Sequence, residues 1–317
     1  MFRTCVAKRN KCVEVAKKYM FGCLHLGKLS TDIVRVSLAT WINIAIPTIT
    51  FGCESILFCN SKLAELESIE AKVAKRILGV SVNTVNTCAQ SELGLKPVRL
   101  HIYLLQLKFY FRVLRLPPNR WVKVALMDHL SGTWSSPYIS YICKIRTESA
   151  LFAEPPTMKY LSIHMHQRAL ARTNSMIASH SLPYVPMLTS FKKKPYVYTH
   201  SYLSTLASFR LSNAGLGNKI PRNGSQVQKY CPACNSGYLL DEGHVLFTCS
   251  ATRKVRCETG INLFTTQAAT KGLLEERARF LFVTGCDLEG NLVNMETYKH
   301  RALAISAIRS AWPNTHS

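Results

Sequence analysis

Acidic residues are scarce in this chain: 18 Asp and Glu stand against 40 Lys and Arg in 317 residues. Only four are aspartates, Asp32, Asp128, Asp241 and Asp287, and no two are near neighbours. Phosphoryl transfer by paired metal ions needs clustered carboxylates, so that chemistry has no residues here to carry it. No Gly-x-Gly-x-x-Gly and no phosphate loop ending in Gly-Lys-Ser/Thr is present, which removes the common nucleotide folds. Gly215 and Gly217 stand alone and read as a turn. There is no Gly-x-Ser-x-Gly elbow. His164 and His166 flank Met165, and residues two apart do not share a helix face, so they are no ligand pair. No secretory leader opens the chain, because its first twenty residues are basic and amphipathic without an apolar run and cleavage site. The 12 cysteines are scattered rather than framework-spaced, and a reducing compartment, nucleus or cytoplasm, is expected. Apart from one metal site, they read as buried small residues or inert thiols. The most apolar stretch, 38–58, is broken by Asn43, Pro47 and Glu54, and reads as a core helix and turn rather than a membrane span.

What is abundant is positive charge. The formal net charge is +22 and the pI is near 9.7. Such a field draws polyanions, nucleic acid first and an anionic membrane surface second. RNA or DNA is therefore the expected partner. A hydrophobic content of 47% is enough for a packed core, and the length suggests two domains, or one with appendages.

The densest chemistry lies in residues 231–249, CPACNSGYLLDEGHVLFTC. Cys231, Cys234, His244 and Cys249 follow the pattern C-x2-C-x9-H-x4-C. Thiolate sulfur and imidazole nitrogen suit a tetrahedral zinc ion, and four protein ligands leave no position for an activated water. The pattern predicts structural Zn2+. Cys257, eight residues beyond Cys249, is an alternative fourth ligand.

Periodicity makes the rest mainly α. A basic helix covers 1–26. Ser30, Thr31 and Asp32 offer an N-cap cluster for a helix over 32–45, whose end Pro47 disturbs. Leu63, Leu66, Ile69, Val73 and Ile77 recur at helical spacing from Asn60 onward, with Gly79 as C-cap. A short helix ends at Leu93-Gly94. A longer one starts at Pro97 and reaches about residue 116, with Leu100, Leu104, Leu107 and Phe111 on one side. Its other side carries Lys96, Arg99, Lys108, Arg112 and Arg115, a solvated face or a phosphate-contacting surface. Tyr103, Phe109 and Tyr110 beside these cations are candidates to stack on bases, with Phe109 and Phe111 assigned to the core instead. Further helices are expected over 121–130, 162–179, 202–211, 273–283 and 295–312. Strand-like alternation is confined to 196–198 and the zinc turn.

Four segments in this order resemble the part of a non-LTR (LINE-type) retrotransposon reverse transcriptase that follows the catalytic palm. IAIPTITFGCESI (44–56) resembles the thumb element P-x-x-x-Y-G-x-E, with Phe51 in the Tyr place. LAELESIEAKVAKRILGV (63–80) resembles its helix ending R-x-I-L-G, and SELGLKPVRLHI (91–102) the E-L-G segment. CPACNSGYLLDEGHVLFTCSATRKVR (231–256) resembles the zinc knuckle with its E-H-V-L-F-x-C-P ending, with Gly243 inserted and Ser250 in the Pro place. The resemblance implies a mainly α architecture. A helical thumb-like bundle (1–130) would be followed by a loop-rich connector with one helix (131–200). A zinc-knuckle domain with C-terminal helices (201–317) would close the chain. It also implies a thumb that grips template–primer phosphates, for which Arg76, Lys96, Arg99, Lys108, Arg112 and Arg115 are the candidates. The knuckle would hold RNA or DNA through Lys229, Arg253, Lys254 and Arg256. Fingers, palm and endonuclease have no counterpart, so a truncated or degenerate copy, or a gene model starting inside the element, is expected. Such a fragment is no enzyme on its own and would need a palm in trans. Two other readings remain open. One is a zinc-stapled helical module that binds protein; the other is a functionless relic whose exposed thumb face aggregates.

Overall fold

The computed structural model describes residues 2–29, 32–56, 58–124, 158–180, 200–211, 230–231, 233–234, 237, 243–284, 286–291 and 293–311. These are mainly α-helical, as the periodicity requires. The expected turns and irregular stretches over 131–157, 181–199 and 212–219 lie outside the described residues, as does the expected helix beyond residue 124.

Helix α1 (Phe2–Lys28) packs along α2 (Ile33–Thr40) and α4 (Asn60–Leu78). Asp32 caps α2 by accepting the Arg35 N–H at 3.0 Å. The disturbance expected at Pro47 is there, but the helical path does not end at residue 45. A widened π turn, Trp41–Ala45, leads into α3 (Ile46–Thr50), with Pro47 in its first turn. A proline has no N–H to give and crowds the carbonyl four residues back; the extra residue in the preceding turn absorbs that conflict without ending the helix. By length and composition the run Ile33–Thr50 is long and apolar enough to cross a membrane. Here its Val34, Leu38, Trp41, Ala45, Ile46 and Ile49 are buried in the bundle core.

Helix α4 buries the stripe Leu63, Leu66, Ile69, Val73 and Ile77 and ends at Gly79, whose φ of 65° is the left-handed cap that only glycine adopts without strain. Short α5 (Asn86–Glu92) and α6 (Val98–Leu114) close the bundle, and Pro97 sits just ahead of α6 as its N-cap. On the far side of α6 lies α7 (Met158–Ala178), whose Leu161 and Met165 pack on Leu100, Leu107 and Tyr110.

Helix α8 (His200–Arg210) joins two cores. Ala207 and Leu211 enter the bundle core, while Leu206 and Phe209 enter a second core. That second core holds the Cys/His segment, α9 (Arg253–Glu258), α10 (Ile261–Thr270), α11 (Glu275–Thr284) and α12 (Met295–Ala311). Arg210, 3% exposed, clamps the junction. It forms a two-pronged ion pair with buried Glu92, one prong 3.2 Å long, and donates to the Val283 carbonyl at 2.8 Å.

Candidate metal centre

Cys231 is buried, and Cys234 follows in a turn. His244 and Cys249 come from a second widened turn, His244–Thr248, closed by the Cys249 N–H on the His244 carbonyl at 2.7 Å. In a regular α-helix, positions five apart diverge by about 140°. A turn closed from i to i+5 brings them back toward one side. The x4 spacing and the π turn are thus one feature, and it aims both residues at the cysteine turn.

The four ligand atoms all lie within 4.8 Å of one another. Metal–sulfur bonds of about 2.3 Å in a tetrahedron, as zinc makes, set neighbouring sulfurs about 3.8 Å apart. Cys231 Sγ and Cys249 Sγ are 3.7 Å apart, and Cys234 Sγ is 3.3 Å from His244 Nε2. The cluster therefore fits a tetrahedral metal ion through Cys231, Cys234, His244 and Cys249, with no ligand position left open. Burial and the neighbouring Cys231 thiol push the Cys249 thiol up to about 12. A cation among the sulfurs would relieve that crowding. The alternative ligand Cys257 is exposed on α9 and accepts a bond from Asn262 at 3.1 Å, apart from the cluster.

Two outer groups hold this arrangement. Thr248 Oγ1 donates to the His244 carbonyl at 3.2 Å and lies 2.9 Å from His244 Nδ1. A metal on Nε2 requires the ring proton on Nδ1, where the Thr248 hydroxyl, giving its own proton to the carbonyl, is placed to accept it. Arg256, 5% exposed, donates to the Cys249 carbonyl at 2.5 Å and to Thr252 Oγ1 at 2.6 Å. Three thiolates and a neutral imidazole around a divalent ion carry a net charge of −1. Arg256 is the buried cation that would offset it if such an ion is bound. The sequence presents Arg256 as a surface cation for nucleic acid; its burial corrects that. The Thr four residues after His244 and the Arg seven after Cys249 are the only sequence signs of these roles.

The other candidate cations separate into groups. Lys108 and Arg112, one turn apart, and Arg115 at the helix end are exposed along α6. Arg76 is exposed, its guanidinium 5.1 Å from the Phe21 ring centre. Lys96 is half-buried, and burial together with the Lys108 charge lowers its pKa. Arg99 is committed to Glu67 through two bonds of 3.0 Å, so it does not belong to the open cationic row. Arg253 and Lys254 are exposed on α9. Lys229 lies outside the described residues. Tyr110 is buried and Phe111 half-buried against α7, where the two rings meet edge to face, so Tyr110 is no stacking platform. Half-buried Tyr103 lines a cleft between α4, α5, α6 and α7.

No protein-family model, curated protein or solved structure matches this chain.

Proposed function

We propose that this chain is a nucleic-acid-binding segment of a non-LTR retrotransposon reverse transcriptase, with structural Zn2+ on Cys231, Cys234, His244 and Cys249. The observation that carries the reading is the gathering of those four ligand atoms within 4.8 Å of one another, in the segment that resembles the knuckle. A closed set of four protein ligands suits a structural ion rather than a catalytic one. The exposed row Lys108, Arg112 and Arg115, on a chain of net charge +22, supplies a sequence-tolerant grip on phosphates. Arg253 and Lys254 place a second basic surface beside the metal cluster. With four dispersed aspartates, the chain is not a polymerase by itself, and its thumb-like bundle would serve a palm supplied in trans.

Exposed apolar residues favour a second role beside the first. Phe51 is 78% exposed, and Phe21, Leu26 and Leu29 are exposed along α1. Exposed apolar side chains of this size suit contacts with a protein partner. Salt separates the two roles, because phosphate binding collapses between low and moderate salt and apolar docking does not. The deciding experiment is the metal content of the purified chain, with each of the four ligands replaced in turn. One zinc per chain, lost on every replacement, is expected. Zinc indifferent to those residues would sink the knuckle reading.

A further inference from the structure

Cys12 and Cys53 meet inside the helical bundle. Cys12 lies on α1, and Cys53 opens a 3-10 turn, Cys53–Ser55, between α3 and α4. Both are free thiols, 5% and 0% exposed, with their sulfurs 3.7 Å apart. In sequence they read as inert, and only the fold joins positions 41 residues apart. A disulfide bond is about 2.05 Å long, so each sulfur has roughly 0.8 Å to travel. Both sides are held in place. Helix α1 packs along α2 and α4. Gln106 of α6 donates to the Ile56 carbonyl at 2.6 Å, directly after the turn. A metal does not account for the contact. Among the described residues, the one group of three or more possible ligands is that of Cys231, Cys234, His244 and Cys249, and two sulfurs alone do not close a tetrahedral site.

A cation attends the pair. Lys8 precedes Cys12 by one helical turn and shares its side of α1. The Lys8 ammonium lies 5.6 Å from the Phe51 ring centre. It also sits against Gly52, where a Cβ would come within 2.7 Å of Nζ. The φ of 69° at Gly52 favours glycine as well. The Cys53 thiol, as donor, and the Lys8 charge hold the Cys12 thiol below its ordinary value, against burial. The same sulfur contact, with burial, pushes the Cys53 thiol up. The thiolate is the attacking form, so Cys12 is the nucleophile and Cys53 the partner that keeps its proton. Burial selects the oxidant: a bulky disulfide cannot line up with a sulfur that is 5% exposed, whereas a small hydroperoxide can reach it. We infer that Cys12 and Cys53 form a reversible disulfide when the chain meets hydrogen peroxide, fastening α1 to the turn between α3 and α4. The Cys12 thiolate attacks one peroxide oxygen and the O–O bond breaks. The departing hydroxide takes up the proton that Cys12 gave up and leaves as water, and Cys12 becomes a sulfenic acid. The Cys53 sulfur then attacks the Cys12 sulfur; the S–S bond forms, the S–O bond breaks, and hydroxide leaves with the Cys53 proton as a second water. The two thiols lose two electrons and the peroxide gains them. A transient, redox-sensing bond of this kind is compatible with a reducing compartment. The inference is independent of what the basic surfaces bind.

The test uses the full native chain, reduced, freed of reductant, kept dilute and exposed to hydrogen peroxide. After alkylation of the remaining thiols, peptide mapping should find the Cys12 and Cys53 peptides joined, with a mass lower by two hydrogens, and dithiothreitol should separate them. Oxidised glutathione at the same concentration should form the link more slowly. The linked chain should unfold at a higher urea concentration than the reduced one, because the bond restricts the unfolded chain. Two variants assign the roles. Cys53→Ser should leave Cys12 as a sulfenic acid that dimedone traps, and Cys12→Ser should leave Cys53 unreacted. Lys8→Gln should slow linking several-fold in a chain of unchanged helical content. The inference is overturned if Cys12 and Cys53 stay unlinked, including when Cys231 and Cys249 become linked instead. It is overturned equally if oxidised glutathione links them as fast as peroxide, if the rate is indifferent to Lys8→Gln, or if the bond lowers the urea midpoint and is thus forced on the bundle. The first of these readings needs no variant, so a misfolded serine variant leaves the outcome decided.

Discussion

An imidazole that gives its Nδ1 proton to Thr248 has a lone pair only on Nε2, the nitrogen that faces Cys234. Thr248→Val keeps the side-chain shape and removes the oxygen, so the ring loses both its tautomer and its aim. Zinc should still bind one per chain, about 10–100-fold more weakly, as losses of such outer partners do; competition against a chelating indicator measures it. In the same assay Cys257→Ser should change nothing, and a loss there would mean that the fourth sulfur is misassigned. Glu70 is a different kind of buried group. Its Oε2 accepts from Gln90 at 2.9 Å and from the Val98 N–H at 3.2 Å, while Oε1 is buried without a hydrogen bond. Burial pushes its carboxyl up to about 8 from an ordinary 4.5, against the pull of those hydrogen bonds. A raised carboxyl pKa means that the folded chain holds a proton the unfolded chain releases. The associated stability is full below the unfolded value of 4.5 and is lost as pH rises through about 8. Glu70→Gln cannot ionise. Its melting temperature relative to the native chain should therefore climb between about pH 5 and about pH 9. A constant difference over that range would show that Glu70 titrates as an ordinary surface acid.

At the scale of elements, α8 is where the two cores become one structure. Glu92 and Arg210 lie 118 residues apart in sequence and are both buried. Removing one partner strands the other charge in the interior, at a cost of about 3–5 kcal/mol. Replacing both with apolar residues removes that penalty. Glu92→Leu or Arg210→Met alone should lower the urea midpoint strongly, and the double variant should recover most of the loss. Additive effects would show that the pair does not interact. Nothing in sequence periodicity joins these two residues, so the clamp was not legible there. Helix α4 was, because one stripe of Leu, Ile and Val and one terminal glycine fix its face and its end. The metal cluster was legible for the same reason of spacing, although the choice between Cys249 and Cys257 needed the fold. Helix α10 escaped notice because its sequence, INLFTTQAAT, is poor in helix formers. Thr265, Thr266 and Thr270 each return their hydroxyl to a carbonyl three or four residues back, and burial of Ile261 and Ala268 supplies what propensity does not.

Over the whole molecule, an excess of 22 positive charges is a field rather than a site, and the question is which cations act at contact distance. The structure thins the candidates. Arg256 serves the Cys249 carbonyl and Arg99 serves Glu67. Lys108, Arg112 and Arg115 remain as a continuous exposed row along one helix, a geometry that can follow a phosphate backbone. Each phosphate neutralised by a lysine or arginine releases condensed counterions, and log K falls against log[salt] by about 0.9 per contact on a DNA duplex. Replacing all three with alanine should therefore flatten that slope by about 2.7 if each makes a contact. The loss of affinity should be uniform across unrelated sequences, since phosphates carry no sequence information. Fluorescence anisotropy on two duplexes of different sequence, from about 50 to about 200 mM salt, reads both quantities. An unchanged slope would mean that the row is a solvated helix face. A loss of affinity on one duplex alone, with the slope unchanged, would mean base contact instead.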